Sequence, residues 1–292
     1  MGISLIADSS CDLPIEIINK YNIIIVPVSI YFPHETRTQY IDITTEEFFH
    51  KITTENLSAT TGVPSPKWFK KAFDEALEKN DEAIMLCLSS ELSGIHSSAL
   101  LHSKNMTNNK VTVVDIRTTT VPFGLIVLKV ARMIENGLSK QDILDNITNN
   151  LIPNIQLNAF VGTLKYLKRS GRIATLQHIL GELLQFKPLI TIIDGKLESF
   201  YRVRGEEATI EFLEKLGEKV VEMLPENETL IIVHSRNFEK AQNLEKHLLM
   251  NMNKHLEILL WEIGPAIGVH VGPGALGLTW IGKPANEIYH FK

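Results

Sequence analysis

Four short segments of this chain put groups that donate hydrogen bonds or move protons beside backbone N–H groups. They are Asp8-Ser9-Ser10-Cys11-Asp12-Leu13-Pro14, Thr60-Thr61-Gly62-Val63-Pro64-Ser65-Pro66, Ser89-Ser90-Glu91-Leu92-Ser93-Gly94 and Gly268-Val269-His270-Val271-Gly272-Pro273-Gly274. Hydroxyls, an imidazole and backbone N–H groups are the donors an anion needs, and a turn that opens a helix adds the positive end of the helix dipole. Ser93-Gly94 has that form, since it stands just before the helical run Ile95–Ser103. Taken singly, each segment reads as capping chemistry, because Ser, Thr and Asp readily bond nearby backbone at a turn. His270 alone reads as a turn histidine bonded to backbone. The set gains meaning because all four turns follow apolar runs, and open α/β sheets bind ligands beyond the carboxyl ends of their strands.

The elements that must position these turns are legible as short aliphatic runs. Strand-like runs are Ile3–Ala7, Ile23–Ile30, Ala83–Leu88, Val111–Asp115, Asn158–Val161, Leu189–Ile193, Leu197–Val203, Leu230–His234, Ile258–Ile263 and Leu278–Ile281. Several are unbroken Ile, Val and Leu, the pattern of parallel strands covered on both faces. Amphipathic segments lie between them at Pro66–Lys79, Val121–Asn136, Lys140–Asn149, Glu206–Leu224 and Phe238–Met252. Ser65-Pro66 reads as an N-cap serine followed by a first-turn proline. Asp194-Gly195 between two strand-like runs is a two-residue hairpin signal. The polar stretch Asn146–Asn158, with Pro153, is the best candidate boundary. The fold class is therefore α/β in two domains: an N-terminal parallel α/β/α sheet over residues 1–155 and a C-terminal mixed α/β domain over 156–292.

Composition narrows the function classes. The 292 residues are 44% hydrophobic, and with 17 glycines about half the chain is apolar, which excludes a disordered polymer. Mean hydropathy is +0.04, with an aliphatic rather than aromatic excess. A formal charge of −5 and no basic stripe speak against nucleic acid. Cys11 and Cys87 are the only cysteines, which suits a reducing compartment. The expectation is a soluble cytoplasmic protein without stable membrane insertion, since no apolar run is long enough to span a bilayer. Metal and nucleotide motifs are absent or false. Gly272–Gly277 satisfies a dinucleotide glycine string, but it contains Pro273 and lacks a following acidic partner. Gly277–Lys283 imitates a phosphate loop, yet Pro284 stands where the magnesium-binding hydroxyl belongs.

The order Asp8–Pro14, Ser89–Gly94, Val113-Val114-Asp115, Leu167-Lys168-Arg169-Ser170-Gly171-Arg172-Ile173 and Gly264–Gly277 resembles the DegV family over residues 3 to about 290. The combination in this order is specific, whereas no single piece is. The resemblance implies a two-domain bacterial protein that binds a long-chain fatty acid. In many members that acid is presented to a separate ATP-dependent fatty acid kinase, which makes an acyl phosphate for phospholipid synthesis. It places the carboxylate at Thr61, Ser93 with Gly94, and His270, and runs the acyl chain into a tunnel near the domain interface. Departures are Gly62-Val63 where the family often has Ser-Gln, and Val269 and Val271 where threonines often flank the histidine.

Lys165, Lys168, Arg169 and Arg172 form a basic cluster, and Arg202 and Arg204 follow the hairpin. Alone these read as a solvated face. Beside the resemblance, Arg172 and Arg202 become expected contacts for a partner or a phosphoryl group, since guanidinium suits both. The expected protein is thus a lipid-binding carrier subunit, not an enzyme by itself, with no catalytic residue, metal or cofactor other than the bound acid. Two rivals remain: a serine hydrolase using Ser93 and His270 with Asp8 or Asp115 as orienting acid, and a lipid-sensing regulatory module.

Overall fold

Most of the aliphatic runs become strands whose side chains are buried on both faces. The structure is a computed structural model that describes residues 2–108, 110–173, 186–250 and 252–288. The chain divides into two compact units: Met1–Pro153 with Gly264–Val269, and Asn154–Ile263 with His270–Lys292. The change of unit thus falls between Pro153 and Asn154, and the segment Gly264–Val269, which a contiguous division at 155/156 does not single out, counts with the first unit.

The first unit contains β1 (Ile3–Asp8), β2 (Ile24–Val26), β3 (Ser29–Tyr31), β4 (Thr36–Thr38), β5 (Thr60–Gly62), β6 (Glu82–Cys87) and β7 (Val111–Asp115). Strands β2-β1-β6-β7 form a parallel sheet. Its crossover helices include Pro66–Lys79, which buries Phe69, Ala72, Phe73 and Ala76 along one stripe. Helix Thr120–Glu135 is buried almost all round, as its run of Val, Phe, Leu and Ile requires. The run Ile23–Ile30, expected as one strand, is two. Pro27 has no N–H to extend a ladder, so β2 stays in the parallel sheet. Strand β3 instead centres a small antiparallel sheet, β4-β3-β5. Thr60-Thr61-Gly62, expected as part of a turn, is strand β5, with Thr61 opposite Ile30.

The second unit contains β8 (Ile155–Phe160), β9 (Phe186–Ile193), β10 (Lys196–Arg204), β11 (Thr229–His234), β12 (Glu257–Glu262) and β13 (Leu276–Ile281). They form one mixed sheet, β10-β9-β8-β13-β11-β12, parallel only between β11 and β12. Asp194 and Gly195 have φ of 50° and 83°, the double left-handed form of a type I′ hairpin. Helices Glu206–Met223 and Phe238–Met250 pack Leu213, Leu216, Val220, Leu244 and Leu248 over Leu230, Ile232, Leu278 and Trp280.

The expected polar boundary Asn146–Asn158, within which the unit changes, is built of helix and strand. Helix Lys140–Asn146 runs on through a π-turn, Ile147–Leu151, and Ile152–Asn154 into β8. Buried Ile143, Ile147 and Leu151 recur at four-residue intervals and anchor the helix despite Asn146, Asn149 and Asn150. Among the described residues no helix is long and apolar enough to cross a membrane.

Candidate functional site

In the first unit, buried carboxylates hold the turns at the strand ends. Asp8 closes β1 and is fully buried: its Oδ1 accepts from Ser10 N at 3.0 Å and from Ser10 Oγ, and its Oδ2 accepts from Leu88 N at 2.9 Å. Burial outweighs these bonds and pushes its carboxyl up to about 6. Ser9 Oγ accepts from Val28 N at 2.8 Å. Asp115, at the end of β7, accepts from Ser90 N at 3.3 Å and Arg117 N at 2.9 Å. Both acids therefore brace backbone. Their described hydrogen bonds go to backbone N–H groups and, for Asp8, to the Ser10 hydroxyl. Cys11 and Cys87 are buried, and burial raises both thiols far from nucleophilic use.

Asp8 and Asp115 together fix the loop Leu88–Gly94. Leu92 and Ser93 donate their N–H groups to Ser89 O at 3.0 and 3.1 Å. Helix Ile95–Met106 then starts with Gly94 as N-cap and no side-chain cap. Its first-turn N–H groups thus receive no side-chain acceptor from the cap residue, and half-buried Ser93 precedes it. The Thr61 segment lies alongside: a Cβ added at Gly94 would touch Val63 Cγ2 at 3.5 Å, ordinary packing distance. So the structure brings the Thr61–Val63 and Ser93–Gly94 segments together within one unit. It also accounts for Gly62, where a side chain would come within 2.6 Å of the Tyr31 ring. Ser65 holds the expected N-cap conformation with Pro66 after it, but its hydroxyl makes no capping bond.

In the second unit, His270 lies in the last turn of a helix, Pro265–Val271, rather than in the expected open turn. Pro265 at the helix start is compatible with helix, while Gly264 and Gly268 hide the pattern from propensity reasoning. Gly268 permits close packing, since a Cβ there would meet the Phe48 ring at 2.6 Å. The imidazole is lowered to about 4, first by burial and then by the charges of Arg172 and Arg169. It is neutral at physiological pH and can donate one N–H without adding a charge. Arg172 is exposed and donates to Ser170 O at 2.7 Å, and Arg169 stacks on the Tyr166 ring at 5.2 Å. Arg169 and Arg172 of the basic cluster thus lie within electrostatic reach of His270. Arg202 is exposed on edge strand β10, its guanidinium 4.9 Å over the Phe186 ring.

The loop after His270 is fixed by groups the sequence did not single out. Ser235 Oγ donates to Gly272 O at 2.7 Å and accepts from Ala275 N at 2.9 Å. Gly274 N donates to Ser235 O at 2.7 Å. Gly272, at φ 68°, presses on Tyr166 so closely that a Cβ would sit 2.1 Å from the ring. Ser235 follows β11 as Ser89 follows β6, so the hydroxyl-after-strand pattern could have found it. Tyr166 had no such signal. The glycine strings that imitate nucleotide loops are packing devices here, because Gly277 lies inside β13 and abuts Ala159. No group of three or more metal-ligating side chains occurs among the described residues.

Residues 2–283 match the family model described as "Uncharacterised protein, DegV family". A DegV domain-containing protein of Caldanaerobacter subterraneus is 32% identical over 279 residues, covering 94% of this chain and 97% of that one. One from Staphylococcus aureus is 31% identical over 287 residues, covering 97% and 98%. A solved Thermus thermophilus structure, described as fatty acid binding of a DegV family protein, has 31% identity and a TM-score of 0.88 over 97% of this chain and 100% of that one. The structure of Bacillus subtilis DegV, described as a fatty acid binding protein, has 26% identity and a TM-score of 0.87 with the same coverage. With a family match and a fold likeness that both span almost its full length, the chain belongs to the DegV family.

Proposed function

We propose that this chain binds one long-chain fatty acid and presents its carboxylate to a separate ATP-dependent kinase, itself performing no chemistry. The carrying observation is the uncapped start of helix Ile95–Met106 at Ser93–Gly94, with the Thr61 strand beside it. In this reading Thr61, Ser93, the Gly94 turn and neutral His270 receive the carboxylate. The fatty acid binding described for the Thermus and Bacillus proteins supports the ligand class. Hydrogen bonds to an ionised acceptor contribute about 1.5–3 kcal/mol each. A tail of roughly 15 methylenes contributes on the order of 12 kcal/mol before association costs. The tail therefore supplies most of the retention, and the head group sets register. Exposed Arg172 and Arg202 would meet the partner or the phosphoryl group, and acyl phosphate would be the product handed on in the cytoplasm.

The test is organic extraction of the purified chain followed by mass spectrometry. A stoichiometric long-chain acid is expected. A lipid-free chain that also refuses oleate and palmitate overturns the reading. Ester turnover without any partner would instead establish the hydrolase rival.

A further inference from the structure

We infer that Asp12 and Gln39 are positioning residues for His270, gripping the first turn of the helix whose last turn carries the imidazole. This rests on the reading of His270 as a carboxylate ligand. Gln39 is buried and points both of its polar atoms into backbone: Nε2 donates to Ser9 O at 3.0 Å, and Oε1 accepts from Ala266 N at 2.8 Å. Nε2 also lies 3.3 Å from Asp12 Oδ1. Asp12 in turn accepts from Thr120 Oγ1 at 2.7 Å and from the Gly264 backbone. Gly264 leaves no room for a side chain, since a Cβ would meet Gln39 Nε2 at 2.5 Å and Asp12 Oδ1 at 2.6 Å. The clamp thus holds Gly264 and Ala266, and the helix they begin reaches His270 five residues after Pro265, about 7.5 Å along its axis. A short buried helix passes a change at its first turn to its last as a rotation.

Backbone strain marks the same place. Asp12 has φ of 48°, Tyr40, next to Gln39, has 65°, and Thr120 has 51°. Left-handed backbone is tolerable for aspartate but unusual for tyrosine and for β-branched threonine. Such conformations persist where surrounding structure over-determines them, and they gather at functional sites. Here Tyr40 is tied by its hydroxyl to Leu13 O at 2.7 Å, and Thr120 by its own hydroxyl to Asp12. A carboxylate fully buried with no cation among its described partners is a costly anchor for a purely structural turn. It is understandable if the exact set of the Pro265 helix matters.

The experiment uses the full chain loaded with oleate labelled with carbon-13 at its carboxyl. Gln39→Met keeps length and shape but loses both bonds, and Asp12→Asn is the second variant should the first fail to fold. The expected result is a shifted carboxyl resonance and a His270 titration moved toward the ordinary imidazole range. Oleate content should stay within twofold of the parent. A folded variant with both signals unchanged, while Ser93→Ala does shift the carboxyl resonance, overturns the clamp and leaves the head-group reading intact. If His270→Asn also leaves the carboxyl resonance in place, both readings fall.

Discussion

The two units hold their functional side chains by opposite electrostatic means. In the first, carboxylates fix the turns: Asp8 the start of the Ser93 loop, Asp115 its Ser90, and Asp12 the return segment at Gly264. In the second, hydroxyl bonds and close ring packing hold the His270 loop, through Ser235 and Tyr166, under arginine charge. Burial pushes Asp8 and Asp12 up to about 6 and 7, and lowers His234 and His270 to about 4. Each unit thus moves its buried groups toward neutrality from the side its residue types dictate. None of these four groups is therefore a buried cation at neutral pH.

Removing a brace from the first unit should have the largest effect. Asp8→Ala leaves Leu88 N and Ser10 N without their buried acceptor, a loss of about 2–4 kcal/mol in denaturant unfolding. Asp8→Asn should lose less. A loss below about 0.5 kcal/mol for the alanine would end the claim that carboxylates frame this unit. The counterpart in the second unit is Gly272→Ala. Left-handed backbone and the Tyr166 ring together should cost about 1–3 kcal/mol, read from the unfolding midpoint. An unchanged midpoint would show that the loop yields freely.

The pH dependence sharpens the contrast. In the folded chain Asp8 and Asp12 keep their protons to about pH 6 and 7, against 3.8 for an ordinary aspartate, so each lowers stability as pH climbs from about 4. His234 and His270 stay neutral down to about 4 against 6.5, so each raises stability over that climb. The pairs offset, and these four groups leave the chain nearly flat between about pH 4.5 and 6. Each unbalanced proton is worth about 1.4 kcal/mol per pH unit. Asp8→Asn should therefore make stability rise with pH, and His270→Asn should make it fall. Urea midpoints at three pH values check this, and slopes parallel to the parent in both variants would refute the opposed pairs.

Much of the frame was legible because burial on both faces leaves a plain mark. The runs at β1, β6, β7 and β11 are aliphatic and end near where the structure ends them. Asp194-Gly195 and Ser65-Pro66 worked because backbone angles select those residues. Strand β5 was not legible, since Thr60-Thr61-Gly62 owes its form to pairing with β3 rather than to propensity. The Pro265 helix was hidden by two glycines and by tertiary bonds from Gln39, 227 residues earlier in the chain. Of the site, hydroxyl turns after strands pointed to Ser93 and to the Asp8 turn. The choice of Thr61, Ser93, Gly94 and His270 as one set came from resemblance, because local chemistry alone makes each a cap. The slightly positive hydropathy is compatible with a large core and with a lined acyl tunnel alike.

In the proposed function the tail retains the acid while the head group orients it. The direct measurement is the fatty acid content of the Ser93→Ala/His270→Ala double variant, by extraction and mass spectrometry after purification alongside the parent. In the proposed function the double variant stays filled close to one acid per molecule and, where a partner kinase is supplied, forms acyl phosphate much more slowly. An emptied double variant would contradict it, placing retention in the head group instead.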